Sequence, residues 1–203
     1  MLKTLRLFLA TCLVFLLAGC DSPKLNSLSS GDVIVAFGDS LTAGVGTDKS
    51  SSYPSVLARL SGLEVVNAGI SGETTNEGVV RLPKVIDRHN PSLLILLEGG
   101  NDILRNRNYE KIERNLDHMI QFALERDIQV VLIGVPEKSL FSDSAPFYSE
   151  LAEKYDLAFE PSLVADLMRS PSKKSDSIHF NKEGYADMAE GIYTLLSKNG
   201  ALE

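Results

Sequence analysis

The feature that most constrains this chain is an alternation. Short strand-like runs at residues 33–37, 64–67, 93–97 and 129–133 are separated by longer stretches in which apolar residues recur at helical spacing. Apolar runs of this length suit strands covered on both faces, and the intervening helices supply the crossovers that parallel pairing needs. The pattern predicts a three-layer α/β/α sandwich around a mostly parallel sheet of about five strands. The clearest helix spans residues 109–126, with Ile112, Leu116, Met119, Ile120 and Ala123 on one face and Glu113, Asp117, Gln121 and Glu125 on another. A final helix is expected at 181–197, with Asn181 as its N-cap and a stripe through Ala189, Ile192 and Leu196. Between residues 138 and 175 the pattern predicts a helix at 149–155, a fifth strand at 157–159 and otherwise loop. There is no internal repeat, and a single domain over residues 32–203 is expected.

The start of the chain differs in kind. Lys3 and Arg6 precede an apolar run from residue 7 to 17, which ends in Leu17-Ala18-Gly19-Cys20. That is the layout of a secretory leader over residues 1–19, and its end resembles the bacterial lipobox, in which cleavage leaves the cysteine as a lipidated N-terminus. The polar residues 20–31 then read as the lipidated Cys20 and a flexible tether. Loss of Lys3 and Arg6 with the leader takes the formal charge from −7 to −9. Such a balance argues against nucleic acid and against a polybasic grip on anionic lipid, so the anchor would hold the membrane by itself. The only cysteines are Cys12 and Cys20, which excludes disulfides, thiolate metal sites and a cysteine nucleophile from the folded domain.

Chemistry gathers where the predicted strands end. The first runs into Gly38-Asp39-Ser40-Leu41, the second into Ala68-Gly69-Ile70-Ser71-Gly72-Glu73, and the third into Glu98-Gly99-Gly100-Asn101-Asp102. Asp176-Ser177-Ile178-His179 stands just before the last helix. All fall on the strand-carboxyl edge of the sheet or in its last loop, the side on which an open α/β sheet binds ligands. A serine hydroxyl needs a base, and imidazole suits that task near neutrality. His118 reads as a solvated residue of the 109–126 helix and His89 as a cation at a helix C-terminus, which leaves His179. Asp176, three residues earlier, can turn back to accept the Nδ1 proton and leave Nε2 facing Ser40.

These segments resemble the four signature blocks of the SGNH (GDSL) hydrolases. The stretch from residue 65 to 106 is similar to the branch that holds bacterial periplasmic thioesterase/lysophospholipase enzymes and arylesterases. The resemblance implies a flavodoxin-like fold and a serine esterase or thioesterase that works through an acyl-serine intermediate, with no metal or cofactor. It assigns Ser40, Asp176 and His179 as the catalytic triad, and the N–H groups of Ser40 and Gly72 with the amide of Asn101 as the oxyanion hole. Asp39, Gly69, Gly99, Gly100 and Asp102 are expected to shape turns and bond backbone. One departure stands out: in this branch proline often follows the triad histidine, whereas here Phe180 does. That predicts some loss of loop rigidity and a changed pocket wall.

Ile103 and Leu104, with Leu140, Phe141, Pro146, Phe147 and Tyr148 in the following long loop, are candidates for an acyl-binding groove, or else cover the core. Together with Phe180 they make Ile103, Leu104, Phe141 and Phe147 the expected substrate-binding residues. Expected partners are a small ester, thioester or lysolipid and, through the lipid anchor, a membrane of the bacterial envelope, with the domain in the periplasm. Asp21 after Cys20 resembles an inner-membrane retention signal of enteric bacteria. An O-acetylesterase acting on envelope polysaccharide or peptidoglycan would use the same machinery. A non-catalytic binding lipoprotein is disfavoured because none of the motif residues is missing. A nucleotide-binding module is disfavoured because residues 38–47 lack the Lys-Ser/Thr of a P-loop and no G-x-G-x-x-G occurs.

Overall fold

The computed structural model describes residues 24–138 and 142–202. Along the chain come β1 (Val33–Gly38), α1 (Ser40–Ala43), α2 (Tyr53–Ser61), β2 (Glu64–Gly69), α3 (Thr75–His89), β3 (Leu93–Leu97) and α4 (Gly100–Leu104). They are followed by α5 (Tyr109–Leu124), β4 (Gln129–Ile133), α6 (Pro146–Lys154), β5 (Ala158–Glu160), α7 (Leu163–Arg169) and α8 (Lys182–Lys198). The five strands form one parallel sheet in the order β2-β1-β3-β4-β5. From β1 the chain steps to one side for β2, then back across to β3. With right-handed crossovers that reversal puts α2 and α3 on opposite faces. α2 packs with α8 in one layer and α3 with α5 in the other. The expected sandwich is what forms.

The core explains the sequence pattern. Every residue of β3 is buried, as β3 is covered by helices above and below, whereas β2 at the sheet edge is only partly covered. The helical faces read from periodicity turn inward: Ile112, Leu116, Met119, Ile120 and Ala123 of α5 are all buried. Helix starts are fixed by local bonds. Thr74 and Glu77 form a capping box at α3, and the Asn181 side chain accepts the Gly184 N–H at 2.9 Å at the start of α8.

Two expectations need correction. The stretch between 138 and 175 holds α7 and a 3₁₀ turn at Pro171–Lys173 in place of loop. α7 has only seven residues, too few for periodicity to declare itself, yet Val164, Ala165 and Leu167 are buried. Nor is the expected tether free from residue 24 onward. Leu25 is buried and its N–H donates to Asn199 O at 3.0 Å, Leu28 N–H donates to Ala201 O at 2.8 Å, and Lys24 pairs with Asp156 at 2.9 Å. Its polar composition hid two leucines spaced to dock. Cys20 and the leader lie outside the described residues.

Candidate active site

The site lies at the carboxyl edge of the sheet, beyond the ends of the neighbouring strands β1 and β3. β1 ends on Gly38, where a Cβ would sit 2.2 Å from Leu97 O and 2.4 Å from Thr42 Oγ1, so only glycine lets the chain turn here. Asp39 caps α1, its Oδ1 accepting the Leu41 N–H at 3.0 Å, and Ser40 is the first helical residue. The short helix therefore presents Ser40 with its amide unspent. Asp39 thus shapes the turn, as expected, by capping the helix that Ser40 opens.

The loop before α8 brings the base. It is closed as a hairpin by a bridge between Lys174 and Phe180 and by the Ser175 N–H donating to His179 O at 2.9 Å. Within it, Asp176 Oδ1 accepts the N–H groups of Ile178 and His179, each at 2.8 Å, and Asp176 Oδ2 lies 2.7 Å from His179 Nδ1. His179 Nε2 is 3.1 Å from Ser40 Oγ. The His179 N–H, the His179 ring and the Ile178 N–H together hold the Asp176 carboxyl well below the ordinary carboxylate range. An ionised Asp176 fixes the tautomer with the proton on Nδ1, leaving the Nε2 lone pair toward Ser40. Ser40 is the only serine among the described residues whose hydroxyl meets an imidazole, although Ser71 and Ser177 are close by.

Gly72 and Asn101 line the same cavity as Ser40 and His179. Gly72 has a φ of 82°, and a Cβ there would meet only Arg105 at 3.7 Å, so its backbone conformation rather than crowding demands glycine. Asn101 stands in α4, its Nδ2 donating to Asp39 Oδ2 at 3.3 Å. An amide nitrogen has two hydrogens, so that bond leaves the second one unspent. Asp102 ties this turn to α3, accepting the Thr75 N–H at 2.8 Å and the Thr75 hydroxyl at 3.1 Å. Beneath lie buried carboxyls. Burial pushes Asp39 up to about 6 against the pull of the Leu41 N–H, and burial beside Asp39 and Glu73 drives Glu98 well above the usual range.

Beside Ser40 opens a cavity of about 450 Å³, walled on its apolar side by Leu41, Ile103, Leu104, Val135, Met168 and Ile178. Among the described residues no group of three or more His, Cys, Asp or Glu side chains is placed to hold a metal ion.

Residues 36–186 match the pattern of the GDSL-like lipase/acylhydrolase family. The chain belongs to that family. Membership of this lipase/acylhydrolase family makes it a serine ester hydrolase. Among relatives of the family, an arylesterase of Vibrio mimicus is 30% identical over 181 residues, covering 84% of this chain and 90% of its own. The thioesterase 1/protease 1/lysophospholipase L1 of Escherichia coli is 27% identical over 170 residues, covering 80% of this chain and 82% of its own. The crystal structure of AlinE4, an SGNH-hydrolase family esterase, matches with a TM-score of 0.66 at 32% identity, over 85% of this chain and 98% of that one.

The expected pocket residues divide. Ile103 and Leu104 line the cavity, the first buried and the second 44% exposed. Phe147 does not: it is buried in the core, edge-to-face with Tyr109 and tilted against Tyr148. Phe180 is also core, fully buried against Tyr185, whose hydroxyl donates to Val45 O at 2.8 Å. It anchors the His179 loop from below, so rigidity comes from packing where a proline would supply it covalently. Phe141 and Leu140 lie outside the described residues. Pro146 opens α6, and the buried Tyr148 donates its hydroxyl to Glu98 O at 2.6 Å. Val135, Pro136, Ala165 and Met168 are wall residues that sequence reasoning missed. Val135 and Pro136 follow β4 and were findable by the carboxyl-edge rule that located Ser40. His118 is exposed on α5, and His89 ends α3.

Proposed function

We propose that Ser40 is the nucleophile, His179 its base and Asp176 the carboxylate that orients and stabilises His179. The observation that carries this reading is the continuous path from Asp176 Oδ2 through His179 to Ser40 Oγ, with contacts of 2.7 and 3.1 Å, ending at the mouth of an apolar cavity. Neutral His179 takes the Ser40 proton as Oγ attacks the acyl carbon. The resulting oxyanion is held by the N–H groups of Ser40 and Gly72 and by the free hydrogen of Asn101 Nδ2. Collapse expels the alcohol or thiol with the proton from His179. Water then repeats the sequence on the acyl-serine, and the acid leaves. Proton transfer by a placed imidazole is worth about 10²–10⁴ in rate, and each oxyanion donor about 10²–10³.

The cavity walls support a carboxylic ester or thioester with an apolar acyl chain. A bare acetyl group would leave most of about 450 Å³ unfilled, which favours this substrate over an O-acetylated polysaccharide. In the same reading residues 1–19 are removed as a leader, Cys20 carries lipid, and the remaining chain is one hydrolase domain in the periplasm, held to the inner or the outer membrane of the bacterial envelope. The basic start, the apolar run and Leu17-Ala18-Gly19-Cys20 support it. Among the described residues no helix is long and apolar enough to cross a membrane.

A fluorophosphonate probe tests the nucleophile. It should label the protein once, on Ser40, and His179→Ala should slow that labelling by about 10²–10⁴. Labelling that persists in Ser40→Ala, or that maps to Ser71 or Ser177, removes Ser40 from the role.

A further inference from the structure

The fastening of residues 24–28 fixes how an anchored molecule stands. Leu25 is pinned to Asn199, Leu28 to Ala201, Lys24 to Asp156, and Gln129 Nε2 donates to Asn26 O at 3.2 Å. Gln129 opens β4, Asp156 lies two residues before β5, and Asn199 follows the last residue of α8. All of these mark the amino edge of the parallel sheet, while Ser40, Gly72, Asn101 and His179 mark its carboxyl edge. α8 measures the distance between the two. It begins three residues after His179, ends next to Asn199 and has 17 residues. At 1.5 Å per residue it is about 26 Å long.

For the cavity to open onto the bilayer that holds Cys20, the domain must invert and raise Leu25 by at least that length. The chain from Cys20 to Leu25, fully extended, spans at most about 18 Å. Peeling the segment away would lengthen the tether only by exposing buried Leu25 and breaking two backbone hydrogen bonds. The geometry points to a hydrolase whose mouth faces away from, or sideways along, its own membrane. Its substrate is a water-soluble ester or thioester, and lipids of the anchoring leaflet are out of reach. This rests on the lipid anchor proposed above, and on the placement of the nucleophile at Ser40.

The chain from Cys20 onward has one thiol, so it can be coupled through Cys20 to a maleimide-headgroup lipid in phosphatidylcholine vesicles whether or not cells lipidate it. The chain as it stands is compared with one carrying a Gly-Ser insertion of about 12 residues between Pro23 and Lys24, long enough to permit inversion. One substrate is p-nitrophenyl butyrate in solution. The other is a long-chain p-nitrophenyl ester embedded in the same vesicles and cleaved by the uncoupled protein in detergent. Both forms should hydrolyse the soluble ester alike, and the insertion should raise cleavage of the embedded ester about tenfold or more, as the site gains access to the surface. Equal rates of the two forms on the embedded ester, fast or slow, overturn the inference. Fractionation of cells expressing Cys20→Ser tests the anchor separately. Unchanged membrane association there sinks the lipoprotein reading and leaves the vesicle result to judge the geometry.

Discussion

At Asn101 two amide hydrogens have different tasks. One is held by Asp39 at 3.3 Å, and the other is the proposed oxyanion donor. Asn101→Ala should therefore lower kcat by about 10²–10³ with KM nearly unchanged, because the lost bond is made mainly in the transition state. Its thermal midpoint should fall modestly, because the buried Asp39 carboxyl loses a donor; a variant that keeps kcat per folded molecule would make Asn101 a loop residue only. Asp39 carries the complementary prediction. Its carboxyl is buried and pushed up to about 6, so the folded protein holds the proton more tightly than the unfolded chain does. The stability that this proton confers is present at pH below about 4 and is lost as pH rises through about 6. Asp39→Asn removes that titration, so thermal midpoints measured from pH 4 to 7 should shift progressively in the variant's favour relative to the parent. The same change sets Asn Nδ2 against Asn101 Nδ2, donor against donor, and should lower kcat at every pH. A midpoint difference that stays flat across this window would mean that Asp39 is already ionised at its lower end.

At the scale of elements, legibility followed the length and isolation of the signal. β3 and β4 match the apolar runs residue for residue, and α5 and α8 match within two residues at their ends, because each is a long pattern that buries one stripe or a whole strand. The four blocks carrying Ser40, Gly72, Asn101 and His179 were legible for a related reason: each follows a strand or precedes a capped helix, so its place on the carboxyl edge comes from topology. The pocket wall was not legible. Aromatic residues near the site in sequence, Phe147 and Phe180, point into the core, while Met168 reaches the cavity from α7, a helix too short to announce itself. An apolar side chain in a loop says that it will be covered, and only tertiary packing says by what. These two kinds of residue should come apart in experiment. Phe147→Ala is expected to cost about 3–5 kcal/mol of stability and to leave the acyl-chain preference in place. Met168→Ala should do the reverse, changing kcat/KM between short and long acyl esters by about tenfold at little cost in stability. A chain-length profile untouched by Met168→Ala would remove α7 from the acyl wall.

Across the whole molecule, the two edges of the sheet have separate work. The amino edge joins Leu25 to Asn199 and Leu28 to Ala201, while the carboxyl edge gathers the proposed site residues. A chain that begins at Asp32 loses the burial of Leu25 and both backbone bonds. It should be less stable by about 2 kcal/mol than one that begins at Asp21, with kcat on a soluble ester unchanged. A fall in kcat at temperatures where both forms are folded would show that the edges communicate. The carboxyl edge is itself assembled from distant parts of the chain: Ser40 and its imidazole are 139 residues apart, and the loop that carries His179 is held by Phe180 and by the start of the last helix. Synthesis runs from the N-terminus, so the proposed nucleophile is made 139 residues before its proposed base. Until the segment carrying His179 has docked, Ser40, the proposed nucleophile, has no imidazole beside it. In the proposed mechanism an unfolded chain therefore lacks esterase activity, and hydrolysis begins only once these two distant segments have come together.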